Sequence, residues 1–206
     1  MTDPIEPRTF FRQKMPQDWN RALADQERAV QAAQRVLDGM RAVDVTIRFD
    51  VTGEGGGTFF LNVADGKMTA GDAPAHPPFL TCVQDRASFE RLAVEAGDSA
   101  LGMLGGLSGL GGGMKLTRAR LDNLAGVKGC LHFEVTGPTG FVIRTHFGDG
   151  PLPETPDAKL VVDPEAYRDL RAGRLDPQGA FMGGKIKVEG DVQLTMQLAL
   201  AALSPD

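Results

Sequence analysis

Three places in this 206-residue chain hold residue types that carry chemistry in proteins. Residues 179–185, GAFMGGK, have the glycine and lysine spacing of a phosphate-cradling loop. Such a loop follows a strand and needs a Ser or Thr after its lysine to hold magnesium. Ile186 stands there and no strand precedes, so nucleotide hydrolysis is not expected. Cys130, His132 and His146 are good zinc ligands, and tetrahedral sites need three or four. If residues 130 and 146 face each other across a hairpin, all three share one side. That side also carries Glu134 and Arg144, which makes it a solvated face without a fourth ligand. Ser108 lies in GLSGL rather than in a nucleophile elbow. No general base can be argued beside Cys82 or Cys130. The expectation is no catalytic residue, no metal and no cofactor.

Composition narrows the classes further. Twenty-two Lys and Arg against 27 Asp and Glu leave a net charge of −5. Nucleic acid requires a basic face, so it is not expected as a partner. Two distant cysteines exclude a disulfide framework and fit a reducing compartment. No apolar run approaches the roughly 18 residues of a membrane helix, and MTDPIEPRTF lacks a signal-peptide core. A soluble, cytoplasmic protein with no transmembrane segment is expected.

What remains is a set of apolar patterns. Residues 1–16, with Pro4, Pro7 and Pro16, read as an extended arm. From Asp18, a plausible cap, Leu23, Val30 and Leu37 recur every seven residues, with Ala33 and Met40 interleaved, towards Gly39. This is an amphipathic helix. Its stripe packs on the protein's own sheet or forms a short coiled coil with a partner. Residues 1–43 are this arm and helix.

Val45, Ile47, Phe49 and Val51 then alternate with polar residues, GEGGG turns the chain, and Phe59, Leu61 and Val63 alternate until Asp65-Gly66. That is a hairpin. The pattern recurs with Leu131, Phe133 and Val135, a Gly137–Gly140 turn, and Phe141, Ile143 and Thr145. Phe49 matches Phe133 at an offset of 84, and Asp85 matches Asp163 at an offset of 78. The difference of six falls in a loop, where length variation is tolerated. The predicted organisation is an internal duplication, with repeats at 44–126 and 127–206. Each repeat runs hairpin, third strand, capped helix, Gly-rich link, strand and terminal helix. Asp163, Pro164 and Gly173 bound the second helix, and Asp85 and Gly97 the first. Val192, Leu194 and Met196 alternate as a last strand before the wholly apolar Leu198–Leu203.

Residues 158–203, AKLVVDPEAYRDLRAGRLDPQGAFMGGKIKVEGDVQLTMQLALAAL, resemble the sterol carrier protein type two family. The first repeat resembles that family's front half through IRFDVTGEGGG and SFERLAVEAG. It departs at DSALGMLGGLSGLGGGMKLT, where the family has a Pro-Gln and a Lys-rich strand. The second repeat lacks a long leading helix, for which 117–125 stands in. A single domain with a large insertion is the other organisation that fits.

The resemblance implies an α+β fold of mostly antiparallel sheets covered by helices, as two sterol-carrier-like repeats with pseudo-twofold symmetry. It implies a non-catalytic carrier whose apolar cavity takes an acyl chain, sterol, acyl-CoA or phospholipid. The second reading is an accessory module docking a partner protein, a lipid-modifying or quinone-synthesis enzyme, through its apolar face. The expected cavity wall is Phe133, Phe141, Ile143, Tyr167, Leu170, Phe181, Met182, Ile186, Val188, Leu194, Met196 and Leu198. All lie in the second repeat, because the stretch between Gly102 and Gly113 is too rich in glycine to build a wall. An Asp at Phe181 or Met196 should therefore abolish binding, and one at Met103 should not.

Overall fold

A computed structural model of the chain describes residues 6–96, 115–148 and 150–203. Gly97, Met103, Ser108, Asp149 and the whole stretch from Gly102 to Gly113 lie outside the described residues. The chain forms two compact units, Met1–Gly39 and Met40–Asp206.

The first unit is helical from Pro7, not an extended arm. Helix α1 (Pro7–Thr9), a π-turn (Phe10–Lys14) and α2 (Met15–Arg41) follow in sequence. The Glu6 carboxylate caps the start, accepting from the N–H groups of Arg8 (3.2 Å) and Thr9 (2.7 Å). Pro7 sits at the first helical position, where a missing N–H costs nothing. Pro16 would break a regular helix by clashing with the carbonyl four residues back. The wider π-turn lies where that clash would fall, with Met15 N–H donating to the Phe10 carbonyl. Asp18, expected as the cap, is inside the helix and pairs with Lys14 at 3.2 Å. No residue of α2 is buried.

The second unit is built on one eight-stranded sheet. Its elements are β1 (Val45–Thr52), β2 (Gly57–Ala64), β3 (Lys67–Gly71), β4 (Pro78–Asp85), α3 (Arg86–Ala96), α4 (Arg118–Leu124), β5 (Gly129–Val135) and β6 (Phe141–Phe147). Then come β7 (Ala158–Val162), α5 (Pro164–Arg171), α6 (Pro177–Met182), β8 (Ile186–Gly190) and α7 (Val192–Leu203). The order across the sheet is β3-β2-β1-β4-β6-β5-β7-β8. Burial alternates strictly along β6 from Phe141 to Phe147, as the period-two pattern requires.

Each hairpin carries its third strand in the same way. β1 is antiparallel to β2 and parallel to β4. β5 is antiparallel to β6 and parallel to β7. The two hairpin turns are closed by the same bond. Gly56 N–H donates to the Gly53 carbonyl at 3.1 Å, and Gly140 N–H to the Gly137 carbonyl at 3.0 Å. The expected pseudo-twofold relation is not the one observed. β4 joins β6 antiparallel, so β2-β1-β4 and β6-β5-β7 follow one another in the same sense along the sheet. A twofold axis would reverse the order and direction of one unit.

Two elements depart from the sequence pattern. β3 is an added edge strand, reached from β2 by a two-residue turn with positive φ at Asp65 (50°) and Gly66 (70°). Residues 192–196 are the first turns of α7, not a strand. Asp191 caps that helix, its carboxylate accepting from Leu194 N–H at 3.0 Å.

The helices of this unit cover one face of the sheet, while the opposite face is polar. There Lys159 pairs with Glu134 at 2.8 Å, beside a partly buried His132. The hydrogen bond from Lys159 holds Glu134 below the usual carboxylate range. Burial, then Lys159, lowers the His132 pKa. Both groups favour the folded state at neutral pH. That stability fades as pH falls from about 6.5, the unfolded histidine value, through the lowered Glu134 value. The urea midpoint should therefore drop steadily between pH 7 and pH 4. Glu134→Gln should flatten the lower part of the fall; a midpoint independent of pH would refute this account.

Candidate apolar ligand site

The helical caps aim the apolar side chains. Asp163 accepts from the N–H groups of Glu165 (2.8 Å) and Ala166 (3.2 Å), with Pro164 at the first position of α5. This start turns Ala166, Tyr167 and Leu170 to the sheet, all buried. Tyr167 meets Phe141 edge-on with ring centroids 5.3 Å apart, and Phe133 at 6.0 Å. Phe133 and Phe141 are 6.1 Å apart. The three rings form the centre of the main core cluster, joined by Ile143, Leu170 and Ile186. Val188 packs at its margin. Burial raises the Tyr167 phenol pKa, so it stays protonated at any physiological pH.

Asp176 caps α6 through Gly179 N–H at 2.6 Å. Ala180 turns inward and is fully buried, which leaves its neighbours Phe181 and Met182 outward, 49% and 78% exposed. The phosphate-loop-like sequence is thus a helix and its closing turn. Gly183, Gly184 and Lys185 donate their N–H groups to the carbonyls of Gly179, Phe181 and Ala180. They are engaged within the chain.

In α7 the helical period splits the residues expected to alternate. Leu194 and Leu198 join a second cluster with Val127, Leu131, Phe147 and Ala158. Val192 and Met196 face out, 50% and 60% exposed. Of the expected wall, Phe133, Phe141, Ile143, Tyr167, Leu170, Ile186 and Leu194 are buried, and Val188 and Leu198 are half-buried. Phe181, Met182 and Met196 lie on the surface of the helices beside edge strand β8.

Two core residues missed by the sequence reading come from the first half. Cys82 on β4 and Leu92 on α3, each 1% exposed, belong to the main cluster. They reach it because β4 pairs directly with β6. Leu92 carries the matching signal in sequence, since it aligns with Leu170 at the 78-residue offset.

A cleft among Glu95, Val135, Thr139, Phe141, Pro164, Tyr167 and Arg168 has a volume of about 10 Å³. That is room for one water, whereas small-molecule pockets span roughly 300–1,000 Å³. On the polar face, Cys130 stands opposite His146 and His132 opposite Arg144, so the three potential zinc ligands do share one side. Among the described residues no group of three His, Cys, Asp or Glu side chains is placed to hold a metal.

Burial drives the Cys82 thiol up to about 12, and raises that of Cys130. Thiolate is the reactive form. Both cysteines should resist an aromatic disulfide reagent in the native protein and react fully in urea. Fast labelling of either in the native state would contradict this packing.

Among the described residues no helix is long and apolar enough to cross a membrane. Residues 112–202 match the model of the SCP-2 sterol transfer family. No curated protein is significantly similar in sequence. Among solved structures, the palmitated SCP2L2 of Aedes aegypti is 22% identical, with 38% of this chain and 75% of that chain covered and a TM-score of 0.32. The sterol carrier protein domain 2 of Helicoverpa armigera is 29% identical over 41% of this chain and 77% of that chain, with a TM-score of 0.29. The sec-alkylsulfatase Pisa1 from Pseudomonas sp. is 17% identical over 41% of this chain and 15% of that chain, with a TM-score of 0.30.

Proposed function

We propose, from the match of residues 112–202 to the SCP-2 sterol transfer family, that this chain is a non-catalytic carrier of a long apolar molecule such as an acyl chain or sterol. One observation supports where the ligand enters. Phe181 and Met182 on α6 and Val192 and Met196 on α7 are exposed apolar side chains. Both helices contact edge strand β8, whose Val188 is half-buried at the margin of the main core. In this reading the ligand parts α6 and α7 from the sheet as it enters. Flexible methionines at the rim suit such an opening. The halves 44–126 and 127–206 are read as repeats of one unit, the second carrying the site.

The energetics are adequate. Each buried methylene contributes about 0.8 kcal/mol, so a 16-carbon chain offers roughly 13 kcal/mol gross. Micromolar binding needs about 8 kcal/mol after ordering and association costs. Fluorescent fatty-acid and sterol analogues should bind saturably. Phe181→Asp or Met196→Asp should weaken binding at least tenfold with an unchanged circular dichroism spectrum, because both sites are on the surface. Val94→Asp on α3, 80% exposed, should leave it unchanged. Absence of saturable binding, or equal losses at Val94 and Phe181, would reject the reading. The same exposed side chains favour a second reading, an apolar face that docks a partner enzyme. It predicts no ligand binding at all.

A further inference from the structure

We infer that the cleft beside Tyr167 reads a hydroxyl group at the head of a neutral, long-chain ligand. The inference rests on the carrier reading and names the head group that the carrier prefers. Tyr167 is 2% exposed, and its phenolic oxygen has no hydrogen-bond partner among the described residues. Arg171 lies over the ring, 5.8 Å from its centroid, and its charge acts on the phenol. A guanidinium carries donors and no acceptor, so it cannot take the phenol's hydrogen. An unpaired donor in an interior is costly. A Phe here would pack against Phe133 and Phe141 equally well without that cost. A hydroxyl kept at this position therefore points to an acceptor that the described residues do not supply.

The surroundings define that acceptor. The cleft that Tyr167 lines has a volume of about 10 Å³, enough for one water and equally for one hydroxyl oxygen. Glu95 lines it too, with a side chain that is 34% exposed. Arg171 comes no nearer to that carboxylate than 3.9 Å and donates instead to the Glu95 main-chain carbonyl. The cleft thus brings together a donor in need of an acceptor and an acceptor with room for a donor. An alcohol complements both, accepting from Tyr167 and donating to Glu95. An ether accepts but has nothing to donate. A carboxylate accepts but meets the Glu95 charge, and Arg168, exposed to solvent, offsets little of that repulsion. The remaining walls include Val135, Phe141 and Pro164. Phe141 continues into the main cluster, which also holds Ala180 of α6 and Ile186 of β8. The apolar chain behind the hydroxyl therefore has a continuous path from the cleft towards the α6 rim.

The test is displacement of a fluorescent fatty-acid analogue from the full chain by dodecan-1-ol, its methyl ether and dodecanoate. The alcohol should bind about tenfold more tightly than either of the others, the worth of one well-made hydrogen bond. Tyr167→Phe should bring the alcohol to within about twofold of the ether and leave the ether unchanged. Glu95→Gln keeps an acceptor and removes the charge, so it should hold the alcohol within about twofold and tighten dodecanoate about fivefold or more. Without ligand, the urea midpoint of Tyr167→Phe should be no lower than the parent's. A clearly lower midpoint would show that the phenol already has its acceptor within the protein, and overturns the inference. Equal displacement by alcohol and ether, or a preference that survives Tyr167→Phe, overturns it while the carrier reading stands. If the analogue does not bind and none of the three compounds raises the unfolding temperature, the carrier reading fails and the inference falls with it.

Discussion

A Phe133→Ala variant is expected to lose about 3–5 kcal/mol of unfolding free energy. Phe133 is 2% exposed and lies within 6.1 Å, centroid to centroid, of both Phe141 and Tyr167. Removing it deletes one of three mutually packed rings and leaves a cavity that strands β4, β6 and β7 cannot close. A domain of this size is stable by only about 5–15 kcal/mol, so the variant should be close to unfolding at 37 °C. Urea titration followed by circular dichroism measures the loss. Phe181→Ala, at a ring that is 49% exposed, should cost about 1 kcal/mol or less. Comparable losses at the two positions would mean that the ring trio is not the centre of the core.

Gly140→Ala and Gly56→Ala should each destabilise by about 3 kcal/mol, a size reserved for enforced backbone movement. A Cβ on Gly140 would lie 2.0 Å from the Val135 carbonyl oxygen, and one on Gly56 2.1 Å from the Val51 carbonyl oxygen. Backbone oxygen cannot swing aside as a side chain does, so the turn itself must open. Opening the 140 turn also disturbs the Arg91 bond to the Gly140 carbonyl, at 2.5 Å, and the Ser88 acceptance of Val142 N–H at 3.0 Å. Gly126→Ala is the control, with nothing within 4 Å of the added carbon and no positive φ. It should be neutral or slightly stabilising. Gly140→Ala with parent-like stability would show that the turn is not the one described.

These turns mark how far the sequence could be read. The strands were visible because one buried face forces a period of two, as along Phe141, Ile143 and Thr145. Asp163-Pro164 announced α5 because cap, first-position proline and acidic first turn have one common meaning. Three features were hidden for physical reasons. Strand β3 exists through pairing with β2, and its residues, Lys67–Gly71, hold one large apolar side chain, Met68. Residues 192–196 satisfy a two-residue period and a helical one equally well, and the Asp191 cap decides between them. Pro7 and Pro16 looked like breakers, yet one starts a helix and the other is accommodated by a π-turn. The site was legible in the same measure. The periodic positions of the buried wall were found, while the contributions of Cys82 and Leu92 depend on the pairing of β4 with β6. A match between two hairpins in sequence leaves the way they join open.

That mode of joining raises a question of termination. A pair related by a twofold axis closes on itself, whereas units related by translation can be added without end. β4 accepts β6 at its free edge, and β7, its counterpart, would accept the β2 of another molecule in the same antiparallel sense. What occupies that edge is β8, and what covers β2 on the far side is β3. Each is five residues long. Lys67, Lys187 and Glu189 place charge on these outer strands, an arrangement that discourages further pairing. The two short strands therefore act as end-stops on a lattice that the rest of the sheet could propagate. A chain stripped of both should grow into ribbons instead of remaining a discrete particle.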